Sequence, residues 1–115
     1  MVSARQLDRS RRRFRRRTVR ILVDFIANGR VECEYATTLG AGGLFVESES
    51  APDPGTPLTV RFRLLPGGTL HEITARVAWR KSVGSDVAGA PGMGVEFLDA
   101  VATAELGREL ESLPD

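Results

Sequence analysis

From Thr18 onward, apolar and polar side chains alternate. Val19, Ile21, Val23 and Phe25 fall on one side of an extended chain, with Arg20 and Asp24 on the other. This period of two marks a strand with one buried face. Asn28-Gly29 follows, a dipeptide whose two residues both tolerate positive φ and so predicts a tight hairpin. Val31, Cys33 and Tyr35 then alternate with Arg30, Glu32 and Glu34 to give the returning strand. A glycine-rich bend, Gly40-Ala41-Gly42-Gly43, leads into a short strand from Leu44 to Glu47, and Ser50 to Gly55 reads as a loop. Leu58, Val60, Phe62 and Leu64 alternate with Thr59, Arg61 and Arg63. Pro66-Gly67-Gly68 turns the chain, and Ile73, Ala75, Val77 and Trp79 form the partner strand. A loop of small residues spans Ser82 to Pro91, and Met93, Val95 and Phe97 make a last strand.

After these strands the period changes. Asp99 is an N-cap for a terminal helix, along which Leu106, Leu110 and Leu113 recur four and three residues apart as one apolar stripe. Gly107 inside that helix weakens it by about 1 kcal/mol relative to alanine. Six closely spaced strands followed by a helix predict an all-β domain, a small six-stranded antiparallel barrel with the helix packed outside. Val19, Ile21, Val23, Val60, Phe62, Val77, Val95 and Phe97 are expected to share its core.

At 115 residues, with 42% of them apolar, the chain is sized for one domain around one core. No apolar run approaches the length of a membrane span, and no apolar stretch follows the early basic residues as in a signal peptide. A cytoplasmic protein is expected. The lone cysteine, Cys33, has no internal partner, and no CxxC or His/Cys cluster suggests a metal site.

Charge changes the picture more than composition does. The net charge of +1 conceals nine arginines against one acid, Asp8, in residues 1–20, a local +8. Residues 21–115 carry seven basic and fourteen acidic side chains, a local −7. Residues 1–17, without apolar periodicity, are read as a basic arm, and residues 18–115 as the barrel with its helix. Such an arm seeks an anion: a phosphate ligand, a nucleic acid, a lipid surface or the acidic body itself. It is also readable as a merely solvated tail.

Little else carries chemistry. His71 sits beside a turn with no nucleophile pattern near it and reads as a surface or strand-edge residue. Cys33 lies on the apolar side of its strand and reads as a buried, inert thiol. No catalytic constellation is visible, so an enzyme is not expected. The run Arg11-Arg12-Arg13-Phe14-Arg15-Arg16-Arg17 presents planar guanidiniums, which fork onto phosphate oxygens or onto guanine O6 and N7 and stack on bases. Gly40, Gly42 and Gly43 allow backbone N–H groups to turn toward an anion, or simply a tight strand entry.

Taken together, these segments resemble the PilZ domain family over about residues 10–112. Arg12-Arg13-Phe14-Arg15-Arg16 fits the family's RxxxR arm just ahead of Val19-Arg20-Ile21-Leu22-Val23. Ala75-Arg76-Val77-Ala78-Trp79 looks like its strand ending in an aromatic, and Gly92-Met93-Gly94-Val95-Glu96-Phe97-Leu98 like its closing strand. The resemblance implies a receptor for cyclic di-GMP, held by Arg12, Arg13 and Arg16 with the turn Thr38 to Gly43, and outputs such as motility, exopolysaccharide or virulence control. In the family's [D/N]xSxxG turn, Thr38 replaces the acid or amide, Gly40 replaces the serine, and Gly43 is kept. Thr38 offers one hydroxyl to guanine's paired N–H donors, and Gly40 offers no side chain. A second expectation is therefore a degenerate domain that serves as a protein-interaction adaptor without the nucleotide. A third is nonspecific RNA or DNA binding by the arm, disfavoured by the acidic body and by the scarcity of interleaved aromatics.

Overall fold

The computed structural model describes residues 17–82 and 90–113. Six strands, β1 (Arg17–Ala27), β2 (Arg30–Gly40), β3 (Gly43–Glu47), β4 (Pro57–Arg63), β5 (Leu70–Lys81) and β6 (Gly92–Phe97), precede one helix, α1 (Ala100–Ser112). Every ladder is antiparallel, and the strands close into a barrel in the order β1-β2-β3-β6-β5-β4. This is the six-stranded barrel with a C-terminal helix that the alternation predicts. Among the described residues no helix is long and apolar enough to cross a membrane.

Local signals account for the joints. Asn28 and Gly29 have φ of 54° and 75°, the paired left-handed residues of a two-residue hairpin whose twist matches its strands. The Asp99 carboxylate accepts from the backbone N–H groups of Val101 and Ala102, both at 3.1 Å, and caps α1. Leu106 and Leu110 are buried against the barrel and Leu113 packs at the margin. Val23, Val60, Phe62, Val77, Val95 and Phe97 are buried in the common core, and Val19 and Ile21 pack against it half-buried.

Two expectations fail, each for a reason visible in the register. Cys33 is exposed. The tight hairpin pairs Phe25 with Glu32, Asp24 with Cys33 and Leu22 with Tyr35, and directly opposed residues share a face. Phe25 is anchored in the core and also pairs with Val60 across β4. Val31, Cys33 and Tyr35 are thereby turned outward, so β2 carries its apolar alternation on the outside of the barrel.

His71 is neither at the surface nor at an edge: it is 2% exposed. It shares the inward parity of Ile73, Ala75 and Val77 on β5, pairs with Phe62, and lies 5.5 Å from that ring, centroid to centroid. Its Nε2–H donates to Oε1 of Glu109, tying α1 to the barrel wall.

Candidate functional site

The site is built by three irregularities in the ladders. Register shifts occur between Thr18 and Ile21 on β1, between Ala36 and Thr38 on β2, and between Val77 and Trp79 on β5. Bulges re-aim side chains and recur beside binding sites. The last of these reverses the parity of β5. Val77 is buried and pairs with Val95, Ala78 is passed over, and Trp79 pairs with Gly94 and is 49% exposed. Without the extra residue the indole would point into the barrel.

Register then lines up one row across the outer wall. Thr18 pairs with Thr38, Thr38 with Phe45, Phe45 with Gly94, and Gly94 with Trp79. Gly94 is the gap in this row, and a Cβ there would run into the Trp79 indole. The missing side chain lets Trp79 fold across β6 onto Phe45, with ring centroids 5.5 Å apart and planes 28° apart, a stacked geometry. A second row sets Glu47 opposite Gly92 and Gly92 opposite Lys81. There a Cβ would collide with the Phe45 ring and the Val46 carbonyl. Lys81 Nζ lies 5.3 Å from the Phe45 centroid.

The result is an open cleft of about 540 Å³ lined by Thr37, Thr38, Phe45, Glu47, Trp79, Lys81 and Ala90. Its aromatic wall can stack a planar ring. Lys81 can attract an anion, the Glu47 carboxylate can accept from paired N–H donors, and the two threonines add hydroxyls. Together these groups can stack a planar ring and meet both anionic and N–H-donating edges beside it.

Of the residues singled out in the sequence, Thr38 is half-buried on β2 at the cleft. Gly40 is buried at the end of β2 and pairs with Gly43 at the start of β3. Gly43 has a structural reason of its own, because a Cβ there would collide with the Val95 carbonyl oxygen of β6. Arg12, Arg13 and Arg16 lie outside the described residues. β1 begins at Arg17, which pairs with Leu39 and is followed by Thr18 opposite Thr38, so the basic segment joins the barrel beside the turn. Phe45, Glu47 and Lys81 were not singled out from sequence. For the first two the signal was present: if Leu44 and Val46 point inward, Phe45 and Glu47 must point outward. Lys81 becomes visible only with the bulge.

The PilZ domain family model matches residues 10–112. Among solved structures, the PilZ domain of CeSA from a cellulose-synthesizing bacterium is similar to the chain with a TM-score of 0.59 and 18% identity, covering 84% of this chain and 98% of that one. An uncharacterized Legionella protein is similar with a TM-score of 0.53 and 13% identity, covering 86% and 92% respectively. At such identities the likeness is one of fold. No curated protein sequence matches the chain.

Proposed function

Because the chain belongs to the PilZ domain family, we propose that it is a receptor for cyclic di-GMP that relays the messenger's arrival to a protein partner. Domains of this family typically bind that nucleotide and act as binding or adaptor modules. The observation that carries the reading is the row Thr18, Thr38, Phe45, Gly94 and Trp79. It joins the base of the basic segment, the polar turn and an aromatic platform on one face. In this reading a guanine stacks at the Phe45 and Trp79 wall. Arg12 and Arg16, with Arg13 between them, take guanine O6 and N7 and the phosphates. Binding draws the arginines against the barrel and changes the surface offered to a partner, so a signal passes without catalysis. On this reading the protein works in the cytoplasm, with motility or exopolysaccharide control as its kind of output.

A second reading, a degenerate PilZ domain acting as a ligand-free adaptor, is favoured by Thr38 and Gly40 where the family carries an acid or amide and a serine. Calorimetric titration with cyclic di-GMP separates the two. The receptor reading expects saturable heat from the parent. It also expects at least a tenfold loss in the Arg12→Ala, Arg16→Ala double variant, since each bidentate guanine contact contributes about 1–3 kcal/mol. A parent that releases no heat hands the function to the adaptor reading. A double variant that binds like the parent puts the nucleotide elsewhere.

A further inference from the structure

The barrel is closed unevenly, and the loose side has the makings of a second binding site. β1 runs for eleven residues, yet only Asp24, Phe25 and Ile26 pair with β4. Ahead of them, Arg17, Thr18 and Ile21–Val23 have ladder partners on β2 alone, Val19 and Arg20 are passed over at the bulge, and Phe62 and Arg63 of β4 have partners on β5 alone, among the described residues. The two strands part to leave a cleft of about 980 Å³. An unpaired strand edge beside a cleft is a template for another strand.

The lining says what kind of strand. Ile21, Leu22, Phe62, Leu64, Leu65 and Leu70 contribute apolar surface. Three of them stand in solvent: Leu22 is 54%, Leu65 50% and Leu70 48% exposed. Among the described residues, Arg20, Arg61 and Arg63 face the same cleft against one acid, Asp24. The cleft is thus cationic on a body that is otherwise acidic. Its guanidiniums are held but not used up. Arg20 lies 4.0 Å from the Tyr35 ring centroid, Arg63 donates to the Gly68 carbonyl at 2.7 Å, and the buried Nε of Arg61 has no hydrogen-bond partner among the described residues.

We propose that the cleft between β1 and β4 takes an extended segment of a partner protein, apolar side chains alternating with carboxylates, added as a strand to the free edge of β1. The chain's own arginine-rich segment is the wrong charge for it. A second copy docking through the same cleft would set Arg20, Arg61 and Arg63 against themselves, as any two-fold self-contact must. The proposal rests on strand edges and charge alone and does not depend on the nucleotide reading.

The test uses the 15N-labelled chain and an acetylated peptide of about eight residues, a typical strand length or slightly more, alternating valine with glutamate. Two further peptides carry N-methyl groups on one or the other alternate set of amides. Strand addition predicts saturable amide shifts confined to Arg20–Val23 and Arg61–Leu65. It predicts that one N-methylated peptide binds like the parent peptide and the other at least about tenfold more weakly, because only one edge of the added strand faces β1. Arg61→Glu and Leu22→Glu should each weaken binding by at least about tenfold while the rest of the amide spectrum stays in place. The proposal is overturned by the absence of a saturable shift at about millimolar peptide, or by equal binding of both N-methylated peptides. Equal binding of a valine–lysine peptide overturns it too, as do the same shifts produced by self-association or by phosphatidylserine vesicles without peptide.

Discussion

Two seams close this barrel, and they are closed differently. Between β3 and β6 all five residues of β3 are paired, and Gly43, Gly92 and Gly94 bring backbone and rings together where no Cβ fits. Between β1 and β4 three pairs suffice and the strands then part around apolar side chains and arginines. The first seam makes a flat, pre-formed wall whose exposed feature is an aromatic stack, which suits a rigid planar ligand. The second leaves backbone groups unpaired, which suits a segment that brings backbone groups of its own. Side-chain volume decides which result a seam gives: glycine draws strands together, and the bulky Ile21, Leu22, Phe62 and Leu64 accompany their separation.

The largest expected effect breaks the tight seam. Gly43→Ala should destabilise the fold by more than about 2 kcal/mol in denaturant unfolding, because the methyl meets the Val95 carbonyl and neither backbone can yield. Gly42→Ala, with nothing within 4 Å of the added carbon, is the control and should change stability by less than about 0.5 kcal/mol. Gly94→Ala lies between them. Its obstacle is the half-exposed Trp79 ring, which can swing away, so a shift of tryptophan emission should accompany a smaller loss of stability.

Restoring the family turn sharpens the same wall. Thr38→Asp with Gly40→Ser should raise affinity for cyclic di-GMP by at least roughly tenfold, about 1.4 kcal/mol, in calorimetry. A carboxylate accepts both neighbouring N–H groups of guanine where a hydroxyl accepts one. Cyclic di-AMP, without that donor edge, should gain nothing. Gly40 is not among the positive-φ glycines of the described residues, which are Gly29, Gly55 and Gly67, so serine meets no φ penalty there. Its burial makes Thr38→Asp alone the companion variant.

The smallest effect concerns the open seam. Partial desolvation by its neighbours, then the hydrogen bond and charge of Asp24, then the charge of Glu34, push the exposed Cys33 thiol above its ordinary value. The protonated form therefore persists to higher pH, and alkylation of Cys33 should be slower than that of a free cysteine at the same mildly alkaline pH. Asp24→Asn removes one of the carboxylates and should move the pH–rate midpoint downward. An unchanged midpoint would mean that Asp24 does not govern the thiol.

Much of the fold was legible because its determinants are local. Alternation located the strands, Asn28-Gly29 fixed the first hairpin, and Asp99 fixed the helix start. The errors lie where a local pattern met a non-local constraint. On β2 two faces competed, and the tight turn together with Phe25 decided against the apolar one, which no window around Cys33 reveals. His71 was legible in principle, since it sits two residues before Ile73 on the inward parity of β5. Its apparent isolation in sequence reflects a partner, Glu109, that lies in the distant helix. The candidate site divides the same way. The turn at Thr38 could be found by motif, whereas the Phe45 and Trp79 stack depends on a bulge and on a glycine in a third strand.

The measurement that tests the central claim most directly is an amide titration of the full chain with cyclic di-GMP. The account predicts saturable shifts at Thr38 to Gly43, at Phe45, and at the Trp79 indole N–H, with Arg20–Leu22 and Arg61–Leu65 left in place. Shifts centred on the β1–β4 cleft, or none at saturating nucleotide, would contradict it.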